Sequence, residues 1–250
     1  MRTTAGLALA LGLLSATAGP LKAGERDQAL SLIERAIKAH GGAEGLARAS
    51  VSTRTSAGTQ AQPGGGGADV TFTSEITQSL PDRIRIAMEV EKRVKVLIVI
   101  DGDKGWVQSA GGGSIPLDRE RVKEMRGEAY VSWLATLLPL KKDGLTLGLA
   151  PEIEVDGKPA WGIKVSGRGE PEARLYFDQG SGLLVKVERR ATEAGVPVTK
   201  AYYYSDFKDF DGVKLPAKEV MTVNGKKWYE VKVLTCKFLK KAEDSAFARP

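Results

Sequence analysis

Cysteine and histidine are almost missing from this chain: one of each in 250 residues. A single Cys excludes an internal disulfide and a cysteine zinc site, and a single His excludes multi-histidine metal centres. Aromatic residues make up only 6%. No G-x-S-x-G elbow offers a serine nucleophile. The glycine runs 64–67 and 111–113 lack the Gly-Lys-Ser/Thr and helix that would make them phosphate cradles, so both read as loops. No apolar run approaches the roughly 20 residues that span a bilayer. What remains is ordinary globular composition, 42% hydrophobic and 27% charged, with chain enough for a real core.

The first residues read as a processing segment. Arg2 gives a short positive region, residues 5–14 an apolar one, and Ala16-Thr17-Ala18 a cleavage pattern. Cleavage is expected after Ala18, alternatively after Ala23, giving a signal peptide over 1–18 and export to the periplasm. No Cys follows it to be lipidated. Its removal takes away Arg2 alone, and the net charge falls from +6 to +5. The charges alternate along the chain instead of forming a basic stripe with interleaved aromatics, which speaks against nucleic acid. The excess is compatible with a weak attraction to anionic lipid head groups.

Residues 25–39 carry Ala29, Leu32, Ile33, Ala36 and Ile37 at helical spacing. Gly41-Gly42 stops that helix, His40 is placed to cap it, and 43–49 adds a further turn. The period then becomes two. Ile84, Ile86, Met88 and Val90 alternate with charged residues, and Val94, Val96, Ile98 and Ile100 form a second set. Asp-Gly or Asn-Gly turns recur at 101, 156, 211 and 224. Many short strands with such turns predict a mainly β fold, a large antiparallel sheet that curls or closes. One helical segment, 118–138, interrupts the strands and reads either as a core helix or as a lid; Gly127 is placed to break it and Pro139 ends it. One domain is expected from residue 25 to 250. Asp206, Asp209 and Asp211 lack the spacing of a calcium loop, and Cys236 reads as a small packing residue.

Several segments together resemble the LolA-like family of outer-membrane lipoprotein-sorting proteins. Pro81-Asp82-Arg83-Ile84-Arg85 resembles its P-x-R-[FI]-R strand, and Asp101-Gly102-Asp103-Lys104-Gly105-Trp106 the turn that follows. Phe177-Asp178 through Glu188 resembles a later hairpin. Tyr204-Ser205-Asp206-Phe207 with Asp211-Gly212-Val213-Lys214-Leu215-Pro216 resembles the "DGVKLP" block, and the tail to Pro250 a closing F-x-x-P. The chain departs from the pattern at Leu80, where the family carries an Arg that bonds the lid.

The resemblance implies a strongly curved antiparallel sheet, an incomplete β-barrel covered by N-terminal and lid helices. It implies a carrier of acylated lipoproteins or lipids, with no catalytic residue, cofactor or metal. The alternative is an envelope-sensing, protein-binding module with the same fold. Inward-facing, lipid-binding residues are then expected at Ile84, Ile86, Met88, Val96, Ile98, Trp106, Trp161, Ile163, Phe177, Tyr229 and Val231. Trp133, Leu134 and Leu137 are expected in the lid. The implied partners are the acylated cargo, a membrane-bound donor or acceptor protein and, transiently, a membrane surface. The protein itself is expected to be monomeric.

Overall fold

The computed structural model describes residues 23–62, 67–193 and 195–250. The expected leader and glycines 64–66 lie outside them. Two helices open the described chain, α1 (Ala23–Ala39) and α2 (Ala43–Ala49). Five strands and a two-residue edge strand follow: β1 (Val51–Gln60), β2 (Val70–Ser79), β3 (Arg83–Val90), β4 (Val94–Asp101), β5 (Lys104–Ser109) and β6 (Ile115–Pro116). After α3 (Arg119–Ala135) and a 3₁₀ turn at Leu138–Lys141 come seven more: β7 (Leu145–Val155), β8 (Lys158–Gly167), β9 (Glu170–Asp178), β10 (Leu184–Glu193), β11 (Val196–Phe210), β12 (Val213–Val223) and β13 (Lys226–Phe238). A second 3₁₀ turn, Asp244–Phe247, ends the chain.

All thirteen strands form one antiparallel sheet in the order β6-β5-β4-β3-β2-β1-β13-β12-β11-β10-β9-β8-β7. The chain meanders out to β6, crosses to the far edge through α3, and meanders back until β13 pairs with β1. The two edges, β6 and β7, do not pair, so the barrel stays open. Its curvature follows from what α3 touches. Val122 lies over Gly105 beside Ile100 of β4, while Glu128 bonds Lys200 of β11. Six residues of helix span about 9 Å. Six strand steps across a flat sheet would span roughly 29 Å. Only a sheet curled around the helix satisfies both.

α3 starts where Asp118 accepts a hydrogen bond from the Arg121 amide at 2.7 Å, an N-cap that satisfies one free amide of the first turn. Gly127 does not break it. A Cβ there would stand 2.7 Å from an Arg189 nitrogen, so the glycine lets the guanidinium lie against the helix. Beneath its second half and beneath α1 is the main core. Ala29, Ile33, Leu134, Leu137, Leu147, Ile163, Leu175 and Phe177 all belong to it.

His40 does more than end α1. It is buried, its Nδ1 lies 2.6 Å from the Lys214 carbonyl and its Nε2 accepts the Leu184 amide at 3.1 Å. The ring is therefore neutral, with its proton on Nδ1, and ties α1 to β10 and β12. Next to it Gly41 adopts φ +102°, and a Cβ there would sit 2.2 Å from the Gly212 carbonyl oxygen; no other residue fits this crossing. Burial pushes the His40 pKa below its ordinary value, against the Lys214 carbonyl bond that raises it. The unfolded chain binds this proton more readily, so acid favours unfolding. The free energy of urea unfolding is expected to fall as pH drops below the ordinary histidine value of 6.5, by at most about 1.4 kcal/mol per pH unit, until the folded protein binds the proton too. A His40→Gln variant should lose that slope. An unchanged slope in the variant would contradict the assignment.

Candidate functional site

Antiparallel partners share a face, so the register sorts every strand residue to the inside or outside of the barrel. One row runs Arg54, Ile76, Ile86, Ile98, Val107 across β1 to β5. The next rows hold Ser52, Gln78, Ile84 and Ile100 on one side, and Ser56, Ser74, Met88 and Val96 on the other. All face inward, because Met125 of α3 packs on Ile84 and Ile100. α3 covers only the end of this surface nearest those two residues. Ile76, Ile86, Met88, Val96, Ile98 and Val107 stay half-exposed, an apolar trough inside the barrel.

The expected lipid-binding residues therefore divide. Ile86, Met88, Val96 and Ile98 form the trough, with Ile84 buried at its helix-covered end. Val231 is half-buried on β13, opposite Gly58. Ile163 and Phe177, at 0% and 1% exposure, are filled core beneath α1 and α3, away from the trough. Trp133, Leu134 and Leu137 belong to that same core. Trp161 sits at a groove beside α1, where the Arg35 guanidinium stacks 4.3 Å from its ring centre. Tyr229 packs at the margin of the main core and donates its O–H to Glu219.

Trp106 is on the other face of the sheet. It pairs with Val99 and packs on the outer cluster of Val99, Ala242 and Phe247 under the C-terminal segment. The tight turn between Asp101 and Lys104 fixes this: Ile98 then pairs with Val107, and Trp106 must point away from Ile98. Counting through that turn in the sequence would have found it.

The centre of the inner surface is polar, which sequence reasoning missed. A cavity of about 100 Å³ lies among β1, β2, β11, β12, β13 and the C-terminal end of α3, and Ser52, Arg54, Gln78, Tyr204, Glu219 and Cys236 all line it. Cys236 and His40 both border it, yet they form no nucleophile–base pair. Both His40 nitrogens are committed, and burial raises the Cys236 pKa, keeping the thiol protonated. β1, with the sequence VSTRTSAGTQ, has no apolar alternation, so neither of its faces announces itself.

A second polar group fastens α3 across the barrel. Glu128 accepts from Arg189 at 3.1 Å, Lys200 at 2.9 Å and Tyr202 at 2.5 Å. Lys200 also pairs with Glu193 at 2.6 Å. Burial works against ionisation of Glu128, but Lys200, Arg189 and the Tyr202 bond outweigh it and hold the carboxyl below its usual range. Burial and the neighbouring Glu128 charge hold Tyr202 well above 10, so its phenol stays a donor.

An open antiparallel barrel with a helix laid across its mouth is the fold of the LolA superfamily. The chain superposes on a LolA superfamily protein from Nitrosomonas europaea with a TM-score of 0.58 and 14% identity, covering 88% of this chain and 97% of that one. An outer membrane lipoprotein-sorting protein domain from Vibrio parahaemolyticus gives 0.56 and 13%, over 89% and 97%. A DUF1329 family protein from Desulfovibrio piger gives 0.55 and 11%, over 88% and 97%. No protein-family model and no curated protein sequence matches the chain.

Proposed function

We propose that the protein is a periplasmic carrier that holds the acyl chains of lipoproteins or lipids in the trough beside α3 and moves them towards the outer membrane. Residues 25–250 work as one domain, as a monomer that meets a donor and an acceptor at the membrane surface. The observation that carries this reading is the half-exposed row of isoleucines inside the barrel. Leaving Ile76, Ile86 and Ile98 only partly buried forgoes a fraction of the about 1.5–3 kcal/mol that full burial of each would contribute. An acyl chain laid there would cover them and would itself gain about 0.8 kcal/mol per buried CH₂. The work is binding, and nothing in it requires a catalytic group. The shared fold with a lipoprotein-sorting domain supports the same reading.

The test is native mass spectrometry of the mature protein purified from its own periplasm, followed by lipid extraction. Acylated species are expected at about one per chain, as one trough holds one cargo. Protein that arrives empty and also refuses a fluorescent fatty-acyl probe would overturn the carrier reading.

A further inference from the structure

The polar cavity contains three groups that the protein leaves unanswered. The Arg54 side chain, half-buried on β1, makes no hydrogen bond and no ion pair with any described residue. The Tyr204 hydroxyl likewise has no hydrogen-bond partner among them. The Gln78 side chain is buried, and its Nε2 donates to Ser52 at 3.1 Å, but its Oε1 is sealed from solvent without a partner. A buried acceptor left unmade costs about 1–3 kcal/mol. A cation, a neutral donor and an acceptor around 100 Å³ describe a socket for a small polar group.

The socket continues directly into the trough. Arg54 pairs with Ile76, Ile76 with Ile86, and Ile86 with Ile98, so the guanidinium is the polar end of the isoleucine row. At the strand spacing of a sheet, Ile98 lies roughly 14 Å away. We infer that this cavity receives the acidic headgroup, phosphate or carboxylate, of an amphiphile whose chain lies along the Ile76–Ile86–Ile98 row. The inference rests on the carrier reading and specifies its cargo. The cavity is too small for a chain and suits a headgroup.

The other charges around the cavity fit this polarity. Glu219 also faces it, but it lies on β12, two strands from Arg54, and its Oε1 accepts the Tyr229 O–H. An anion is thereby directed to the Arg54 end. Burial and the Glu219 charge hold the Tyr204 pKa well above 10, so its phenol remains a donor. His40 and Cys236 contribute no charge at neutral pH.

The test compares two single-chain lipids of equal chain length, lysophosphatidylglycerol and monoacylglycerol, by titration calorimetry below their micelle concentrations. Wild-type protein should prefer the anionic lipid by about tenfold, the size expected of one charge-assisted hydrogen bond. Arg54→Gln should weaken the anionic lipid about tenfold and so erase the preference, with the thermal midpoint unchanged, since the Arg54 side chain holds nothing in place. Arg54→Lys should restore part of it. Inorganic phosphate at millimolar concentration should weaken the anionic lipid and not monoacylglycerol. Equal affinity for both lipids, or a preference that survives Arg54→Gln, would overturn the headgroup site and leave carriage standing. Inorganic phosphate bound as tightly as the anionic lipid would overturn the lipid assignment of the socket. Failure to bind either lipid would overturn carriage and headgroup site together.

Discussion

A Glu128→Ala variant should lose about 2–4 kcal/mol of unfolding free energy at neutral pH. The alanine leaves Arg189 and Lys200, whose side chains are only 5% and 7% exposed, facing each other without the carboxylate that now bridges them. Glu193 still holds Lys200, and the Glu128 side chain is itself 27% exposed, so the loss stays below that of a fully buried pair. Urea denaturation measures it. Lys95→Ala, which removes an exposed pair with Glu89 at 3.9 Å, should change stability by less than about 0.5 kcal/mol and serves as the comparison. Hydrogen exchange should quicken first in 119–135, because Glu128 is the polar fastening of α3 to the β10–β11 side of the barrel. Acid should imitate the variant. The lowered pKa means this contribution is complete above the ordinary glutamate value of 4.5 and is lost as pH falls through the folded value. A Glu128→Ala protein as stable as wild type would show that α3 is held by its apolar face alone.

Much of this architecture is written in local pattern. The alternation in 83–100, the turn residues and the stripe over 25–39 each specify their element without tertiary help, and the helices, strands and open curl follow. The division of the interior is less legible. Ile163 and Ile98 are both inward isoleucines on alternating strands, and nothing local tells which will lie under α1 and α3 and which will stay wet. That depends on where the helices land: α3 on β4 and β10, and α1 on β7 from the far end of the sequence. The polar socket was invisible for a different reason. Arg54, Gln78 and Tyr204 come from three strands, and each alone looks like a solvated strand residue. Only the β13–β1 pairing that joins the two meanders brings them round one space. Trp106 is the contrary case, legible from the Asp101–Lys104 turn by counting, and its outward position shows how one residue of register decides a face.

The same division sets the last expectation, which separates filled core from binding surface. Phe177→Ala should cost about 3–5 kcal/mol, because Phe177 is 1% exposed and its removal leaves a hole walled by other buried side chains. Ile98→Ala should cost less, about 1–2 kcal/mol, since the side chain is only partly buried and the space it leaves opens to the trough. In acyl-probe binding the order should reverse. Ile98→Ala removes part of the surface the chain lies on and should weaken uptake by about four- to fifteenfold, the worth of one to two methylenes. Phe177→Ala, measured where it remains folded, should leave uptake near wild type. A double substitution of Ile86 and Ile98 to Ser should abolish uptake while the protein still melts cooperatively. If instead Phe177→Ala empties the protein of probe and Ile98→Ala does not, the chain binds among α1, α3 and the β8–β9 strands, and the trough is a surface without cargo.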